Sequence, residues 1–312
     1  MKINRKNDYF FKRVFGHEDT KDILARFLTV VLGVPIEPDE LTIVHTELSP
    51  EYLADKASVL DIQVRRSKAH EKYNVEMQIA DKGNIERRLL HYWGRGYTEE
   101  IKEGDDYSSL PRMIIIAVVD FNVFEWRDAA KFHSVFRVLE ADEGVLFSDA
   151  LEIHMLELPK LKRQPLKDNW SPIECWGLYL NNLEGEAMEM ITAKEPMIGR
   201  ALTVEDVFVK NDEERRLYEL REKGRLEFEN AMFTAERRGE LKGELKGKQE
   251  GILEGMRKGR QDGIQEGIQE GMRKGRHEGI QTTARSMLAR DMPLALISEI
   301  SGLSVEEIKA LK

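Results

Sequence analysis

The sequence predicts an α/β domain with the element order αβββαβ, followed by a long glycine-striped helical segment and a small all-helical tail. Three observations predict it. Apolar residues recur at helical spacing near the N-terminus and again over residues 84–103, and between these stretches they alternate with period two. Residues 112–120 hold an unbroken apolar run, the mark of a strand buried on both faces. Glycine then occupies every fourth position from Gly239 to Gly279.

The first element spans Asp8 to Leu32, where Phe11, Val14, Phe15, Ile23, Leu24, Phe27, Leu28 and Val31 fall on a helical face. Gly16 divides it into two short helices, the second capped near Asp19 or Thr20, and Gly33 and Pro35 end it. Leu41 to Leu48 reads as a first strand, with a charged loop to about Ser58. Leu60, Ile62 and Val64 then alternate with Asp61, Gln63 and Arg65, and Tyr73, Val75, Met77 and Ile79 alternate with Asn74, Glu76, Gln78 and Ala80. The polar link Arg66 to Lys72 is short, so the two strands form an antiparallel hairpin. A register that sets Asp61 opposite Glu76 also sets Val64 opposite Tyr73 and puts both polar sets on one face. Asn84 to Glu103 reads as an amphipathic helix carrying Ile85, Leu89, Tyr92, Trp93 and Tyr97, stopped by Gly104. Arg112 to Asp120 is the buried strand. Val145 to Leu158 alternates and is expected at an edge of the sheet, and Ser171 to Leu183 is a helix with Pro172 in its first turn.

Two carboxylates facing each other across a ladder repel unless something positive lies between them. A hard divalent cation such as magnesium takes carboxylate oxygens and keeps waters, one of which can act as a nucleophile. The other reading of Asp61 and Glu76 is a solvated sheet face on which each carboxylate meets Arg65 or a lysine.

The 312 residues suffice for a large domain with an appendage, and the hydrophobic content of 41% permits a real core. A charged fraction of 34% is high for a compact globule and points to a solvated helix. The single cysteine, Cys175, excludes an intrachain disulfide framework and a Cys-rich zinc site. No apolar run reaches membrane-spanning length and the N-terminal residues are charged and aromatic, so a soluble cytoplasmic protein without a membrane partner is expected. A net charge of −9 argues against a non-specific DNA coat but leaves room for a local acidic metal site.

Leu202 to Lys223 grows more charged and helical, which sets the end of the α/β domain near residue 200 and a connector over 201–238. In the glycine-striped stretch, Glu254-Gly255-Met256-Arg257-Lys258-Gly259-Arg260 recurs as Glu270-Gly271-Met272-Arg273-Lys274-Gly275-Arg276. Each glycine costs a helix about 1 kcal/mol relative to alanine. The same stripe lets a second helix approach closely, along a seam that wraps right-handed. Residues 239–280 are therefore either a self-associating helix or a repeat-expanded linker. Residues 281–312 return to amphipathic spacing in short helices punctuated by Pro293 and Gly302. Acidic Glu306 and Glu307 at the start of its last helix disfavour a DNA-reading role.

Several landmarks stand in a recognisable order: Asn7-Asp8-Tyr9-Phe10-Phe11-Lys12, Leu60-Asp61-Ile62, Val75-Glu76-Met77-Gln78, Arg87-Arg88-Leu89-Leu90-His91-Tyr92-Trp93, the stretch Gly104 to Leu110, and Glu157-Leu158-Pro159-Lys160. Together they resemble the PD-(D/E)XK nuclease fold, and within it the Rpn family of recombination-promoting nucleases, a group that also carries the name transposase. The resemblance implies a mixed sheet flanked by helices. It implies magnesium, with manganese as a substitute, held by Asp61, Glu76 and the backbone carbonyl of Met77. Gln78 stands where the wider superfamily has lysine, so it orients water without adding charge. Asp8 is either an additional catalytic acid or the cap of the first helix, and Arg87 and Arg88 either contact phosphate or form a solvated face. The function implied is metal-dependent DNA cleavage linked to recombination or mobile elements, with DNA as partner and self-association through the Gly239–Gly279 helix. The competing reading is a non-catalytic interaction protein built on a degenerate nuclease fold. A third is a nuclease held inactive by its own tail.

Overall fold

The computed structural model describes residues 1–45, 61–99, 101–124, 131–164, 167 and 169–311, with the backbone alone for His45 and Asp61. Helices α1 (Asp8–Phe15) and α2 (Lys21–Leu32) open the chain. The side chain of Asn7 caps α1 by accepting the amides of Tyr9 and Phe10, and α2 stops at Gly33, whose φ of 71° favours glycine. Strands β1 (Leu41–His45), β2 (Asp61–Arg66) and β3 (Glu71–Gln78) follow, then helix α3 (Ile85–Thr98) and strand β4 (Arg112–Val119). The predicted αβββαβ order is thus the observed one. The expected extension of the first strand to Leu48, the charged loop after it, Val59 and Leu60 lie outside the described residues.

Strands β5 (His133–Leu139) and β6 (Leu146–Glu157) complete a six-stranded mixed sheet in the order β1-β2-β3-β4-β6-β5. β3, β4 and β6 run parallel, and the other pairs are antiparallel. β6 lies inside the sheet and not at its edge, where the alternation had placed it. Its polar residues Glu152 and His154 mislead the reading. Both are buried, with their polar atoms paired to each other and to Arg112, Arg137 and His133, so a strand with an alternating pattern is covered on both faces. The edge belongs to β5, which the sequence reading passed over.

β4 explains its own unbroken apolar run. Ile114, Ile116 and Val118 pack into the main core with α1 and α2, while Ile115, Ala117 and Val119 meet Ile85 and Leu89 of α3 on the other face. The short helices α4 (Leu158–Lys162), α5 (Pro172–Leu180), α6 (Glu186–Lys194) and α7 (Pro196–Lys210) add Trp176, Tyr179, Ile198 and Phe208 to the main core. Phe15 and Phe27 pack on Trp176 at ring-centroid distances of 5.6 and 5.7 Å. Ser171 and Glu174 form a capping box in front of Pro172, so the predicted start of α5 is built as the residues suggest.

Helix α8 runs continuously over Asp212–Leu288. The chain divides into two compact units, Met1–Phe228 and Glu229–Lys312. The first turns of α8 belong to the first unit, where Tyr218 is buried and its hydroxyl accepts the Asn4 amide at 2.8 Å. In the second unit α8 continues, followed by α9 (Leu294–Ser301) and α10 (Val305–Lys309). Ala284, Ile297, Leu303 and Ile308 form a small core of their own. Glu307 reaches back to the Ser304 amide while the Ser304 hydroxyl accepts the Glu307 amide, so this acid serves as a helix cap. Among the described residues no helix is long and apolar enough to cross a membrane.

Candidate active site

The hairpin of β2 and β3 folds as its alternation dictates. Asp61 pairs with Glu76, Gln63 with Asn74, Val64 with Tyr73 and Arg65 with Lys72 in the antiparallel register. Ile62, Val64, Tyr73, Val75 and Met77 enter the main core. The opposite face of β3 carries Lys72, Asn74, Glu76 and Gln78, all buried. On β4 their neighbours in register are Met113, Ile115, Ala117 and Val119, and Ile115, Ala117 and Val119 pack with α3. The polar stripe of β3 therefore runs beside an apolar stripe and under a helix. Lys72 is tied to that helix by a hydrogen bond to the Gly96 carbonyl at 3.1 Å.

Glu76 is 0% exposed. A buried carboxylate costs several kcal/mol unless it is hydrogen-bonded and balanced. Here Asn74 Nδ2 donates to Oε1 at 3.0 Å and Gln78 Nε2 donates to Oε2 at 3.2 Å. The strand thus grips its own carboxylate with amides two residues away on either side, a spacing that period-two geometry makes possible. The slot expected to orient water is occupied by an amide that binds Glu76. Asn74 was not singled out from sequence, although its position two residues before Glu76 on the same face was readable there.

Asn74 Oδ1, by contrast, is buried and has no hydrogen-bond partner among the described residues. An orphaned buried oxygen beside a carboxylate is the chemistry of a cation or water site. Among the described residues no group of three or more His, Cys, Asp or Glu side chains is placed to hold a metal ion. The expected set of Asp61, Glu76 and the Met77 carbonyl draws on only two carboxylates. The Met77 side chain lies in the core, so only its backbone is available to such a set. The described oxygens of this face are those of Glu76 and Asn74 Oδ1, and a hard divalent cation takes donors of this kind.

The remaining candidates are dispersed. Asp8 lies in the first turn of α1, accepts the Tyr9 amide at 2.8 Å and stands 3.5 Å from Arg221 Nε. The cap of that helix is Asn7, so the capping reading of Asp8 gives way to an ion pair. Arg88 Nε donates to the Tyr92 hydroxyl at 2.9 Å, with the guanidinium 5.4 Å from the ring centroid, whereas Arg87 is exposed.

The parallel register brings one more landmark close. Gln78 aligns with Val119, and Val119 with Glu157, so the last residues of β3, β4 and β6 stand in one row. Glu157 is wholly buried and accepts the Val123 amide at 2.8 Å and Lys160 Nζ at 2.6 Å. Beyond the end of β4, Asp120 donates its amide to the Gln78 carbonyl at 2.9 Å and receives Lys6 Nζ at 2.5 Å. Burial pulls the Lys6 ammonium below the usual lysine range, against the opposing pull of Asp120.

Comparison with known proteins bears on the whole first unit. A family model described as PD-(D/E)XK nuclease family transposase matches residues 5–235. No curated protein and no solved structure matched. The match spans most of the chain and takes in every element from α1 to the start of α8. The chain belongs to the PD-(D/E)XK nuclease family transposases.

Proposed function

We propose that the chain is a metal-dependent DNA endonuclease associated with recombination or mobile-element activity, a narrower reading than the nuclease or mobile-element role that its family supports. The observation that carries this reading is Glu76: a wholly buried carboxylate, gripped by two amides, with its Cα paired to that of Asp61. Asp61, Glu76 and the Met77 carbonyl would hold magnesium, or manganese in its place. When bound, such a cation supplies Lewis-acid polarisation of a phosphodiester and a lowered pKa for an attacking water.

The protein's own residues do the rest. The amides of Asn74 and Gln78 fix the two oxygens of Glu76. Gln78 brings no charge of its own, so positive charge toward substrate phosphate comes from exposed Arg87 and from Arg88. Asp8 is proposed as an acidic residue of the same machinery. The protein acts on DNA in the cytoplasm, and Gly239–Gly279 pairs one copy with another.

Cleavage of plasmid DNA with and without magnesium tests this. Asp61→Ala and Glu76→Ala are expected to lower magnesium-dependent cleavage at least about a hundredfold, the scale set by loss of a group that orders a metal site. Equal cleavage by the Asp61→Ala, Glu76→Ala double variant sinks the proposal. The engagement of Gln78 with Glu76 favours one second reading, a non-catalytic interaction platform on the same fold. Absence of cleavage together with absence of metal uptake would select it.

A further inference from the structure

Among the described residues, Asn74 Oδ1 is a buried polar atom of the β3 stripe without a hydrogen-bond partner. Its residue is 1% exposed, so bulk water does not satisfy it. The orientation of the amide is fixed by chemistry. Only an N–H can face Glu76 Oε1, and Nδ2 does so at 3.0 Å, which leaves Oδ1 as the open atom of the amide. Oδ1 therefore lies one amide group from the carboxylate, on a residue whose Cα pairs with that of Gln63 on β2. An amide oxygen is a good ligand for a hard cation and a good acceptor from its waters.

We propose that Asn74 belongs to the cation site itself, with two separate tasks. Nδ2 holds Glu76, and Oδ1 contributes an oxygen to the cation or its inner water. The stripe Asn74, Glu76, Gln78 then has unequal ends: Gln78 orients the carboxylate, whereas Asn74 both orients it and adds a donor. This inference rests on the reading of Asp61 and Glu76 as a cation site. Burial alone does not ask for Oδ1 to be left open, since a leucine of similar size would fill the space without an orphaned oxygen.

Manganese titration of the full chain, followed by electron paramagnetic resonance of free Mn²⁺, tests the proposal without reference to cleavage. Asn74→Ala is expected to weaken Mn²⁺ binding about 10–100-fold, the usual cost of losing a group that supports a metal site. Asn74→Asp keeps an oxygen in place and exchanges the N–H donor for a second oxygen that carries charge. It is expected to bind Mn²⁺ as tightly as the wild type or more so, and to unfold at a lower temperature in the absence of metal because a second carboxylate joins Glu76 in the stripe. If Asn74→Asp binds as poorly as Asn74→Ala, the residue only clamps Glu76 and the proposal falls. Wild-type affinity in Asn74→Ala overturns it as well. Should Asn74→Ala fail to fold, comparison of Asn74→Asp with the wild type decides the matter in the same terms. No Mn²⁺ uptake by the wild type would remove the cation site as a whole, a failure separate from that of Asn74 alone.

Discussion

The β2–β3 hairpin and the glycine-striped part of α8 handle polar residues in opposite ways. In the hairpin, Lys72, Asn74, Glu76 and Gln78 are buried, with Asn74 and Gln78 bonded to Glu76 two residues away and Lys72 to the Gly96 carbonyl of α3. In the striped segment nearly every residue is exposed, and its ion pairs are of the i,i+4 kind, such as Lys258 with Glu254 at 3.1 Å and Lys274 with Glu270 at 2.9 Å. Such pairs contribute about 0.3–0.5 kcal/mol each. A buried polar group without its partner costs about 1–3 kcal/mol. Charge density is therefore a poor guide to importance here.

The contrast can be broken most sharply at Glu157. Removing it by Glu157→Ala leaves Lys160, 3% exposed, without its carboxylate partner. Loss of one partner of a buried pair is expected to cost about 3–5 kcal/mol, readable as a lower urea midpoint of tryptophan fluorescence. Survival of the wild-type midpoint would show that Lys160 escapes to solvent.

A single kind of substitution then distinguishes the two regions. A Cβ on Gly177 would stand 2.4 Å from Leu161 Cδ1 and 2.7 Å from Phe132 Cζ, so Gly177→Ala should destabilise by about 1–3 kcal/mol through overpacking. A Cβ on Gly255 or Gly263 meets nothing within 4 Å. With the stripe paired between copies as proposed, Gly→Ala there should lower helicity on heating, because the added Cβ holds the second helix away. A gain of about 1 kcal/mol per site, the intrinsic preference of a helix for alanine, would show that the stripe stands unpaired.

The smallest effect expected is a pH dependence at the sheet edge. Burial, with the neighbouring His154, pulls His133 down to about 4. Protonation of a group with a depressed folded pKa opposes folding, so its contribution is complete above pH 6.5 and fades as the pH falls toward 4. Glu152 shows the same trend at lower pH. Burial raises its pKa, but His154, Arg137 and Arg112 outweigh this and bring it to about 2. His133→Gln should flatten the stability profile between pH 6.5 and 4. An unchanged profile would locate the acid sensitivity elsewhere.

Much of the fold was legible because hydrophobic period and turn chemistry are local. Val64 opposite Tyr73 follows from a short polar link and strict alternation, and it brings Asp61 opposite Glu76 with it. Capping was legible at Ser171 and Pro172 for the same reason. Alternation misled at β6, because Glu152 and His154 look solvent-facing until their partners on β4 and β5 are known. Those partners are distant in sequence. β5 itself, a seven-residue edge strand with exposed Val135, Val138 and Leu139, has no one-sided pattern to betray it.

The sequence by itself determined the αβββαβ order, the hairpin register and the period-four glycine stripe, since helical spacing, alternation and a short polar link are local features. Only the tertiary structure decided which polar residues are buried. It made Asn7 and not Asp8 the cap of α1, brought Glu157 into the same strand-end row as Gln78, and turned Asn74 and Gln78 onto the carboxylate of Glu76. Burial is a property of what packs above a side chain, and α3 covers that face of the sheet from outside the hairpin.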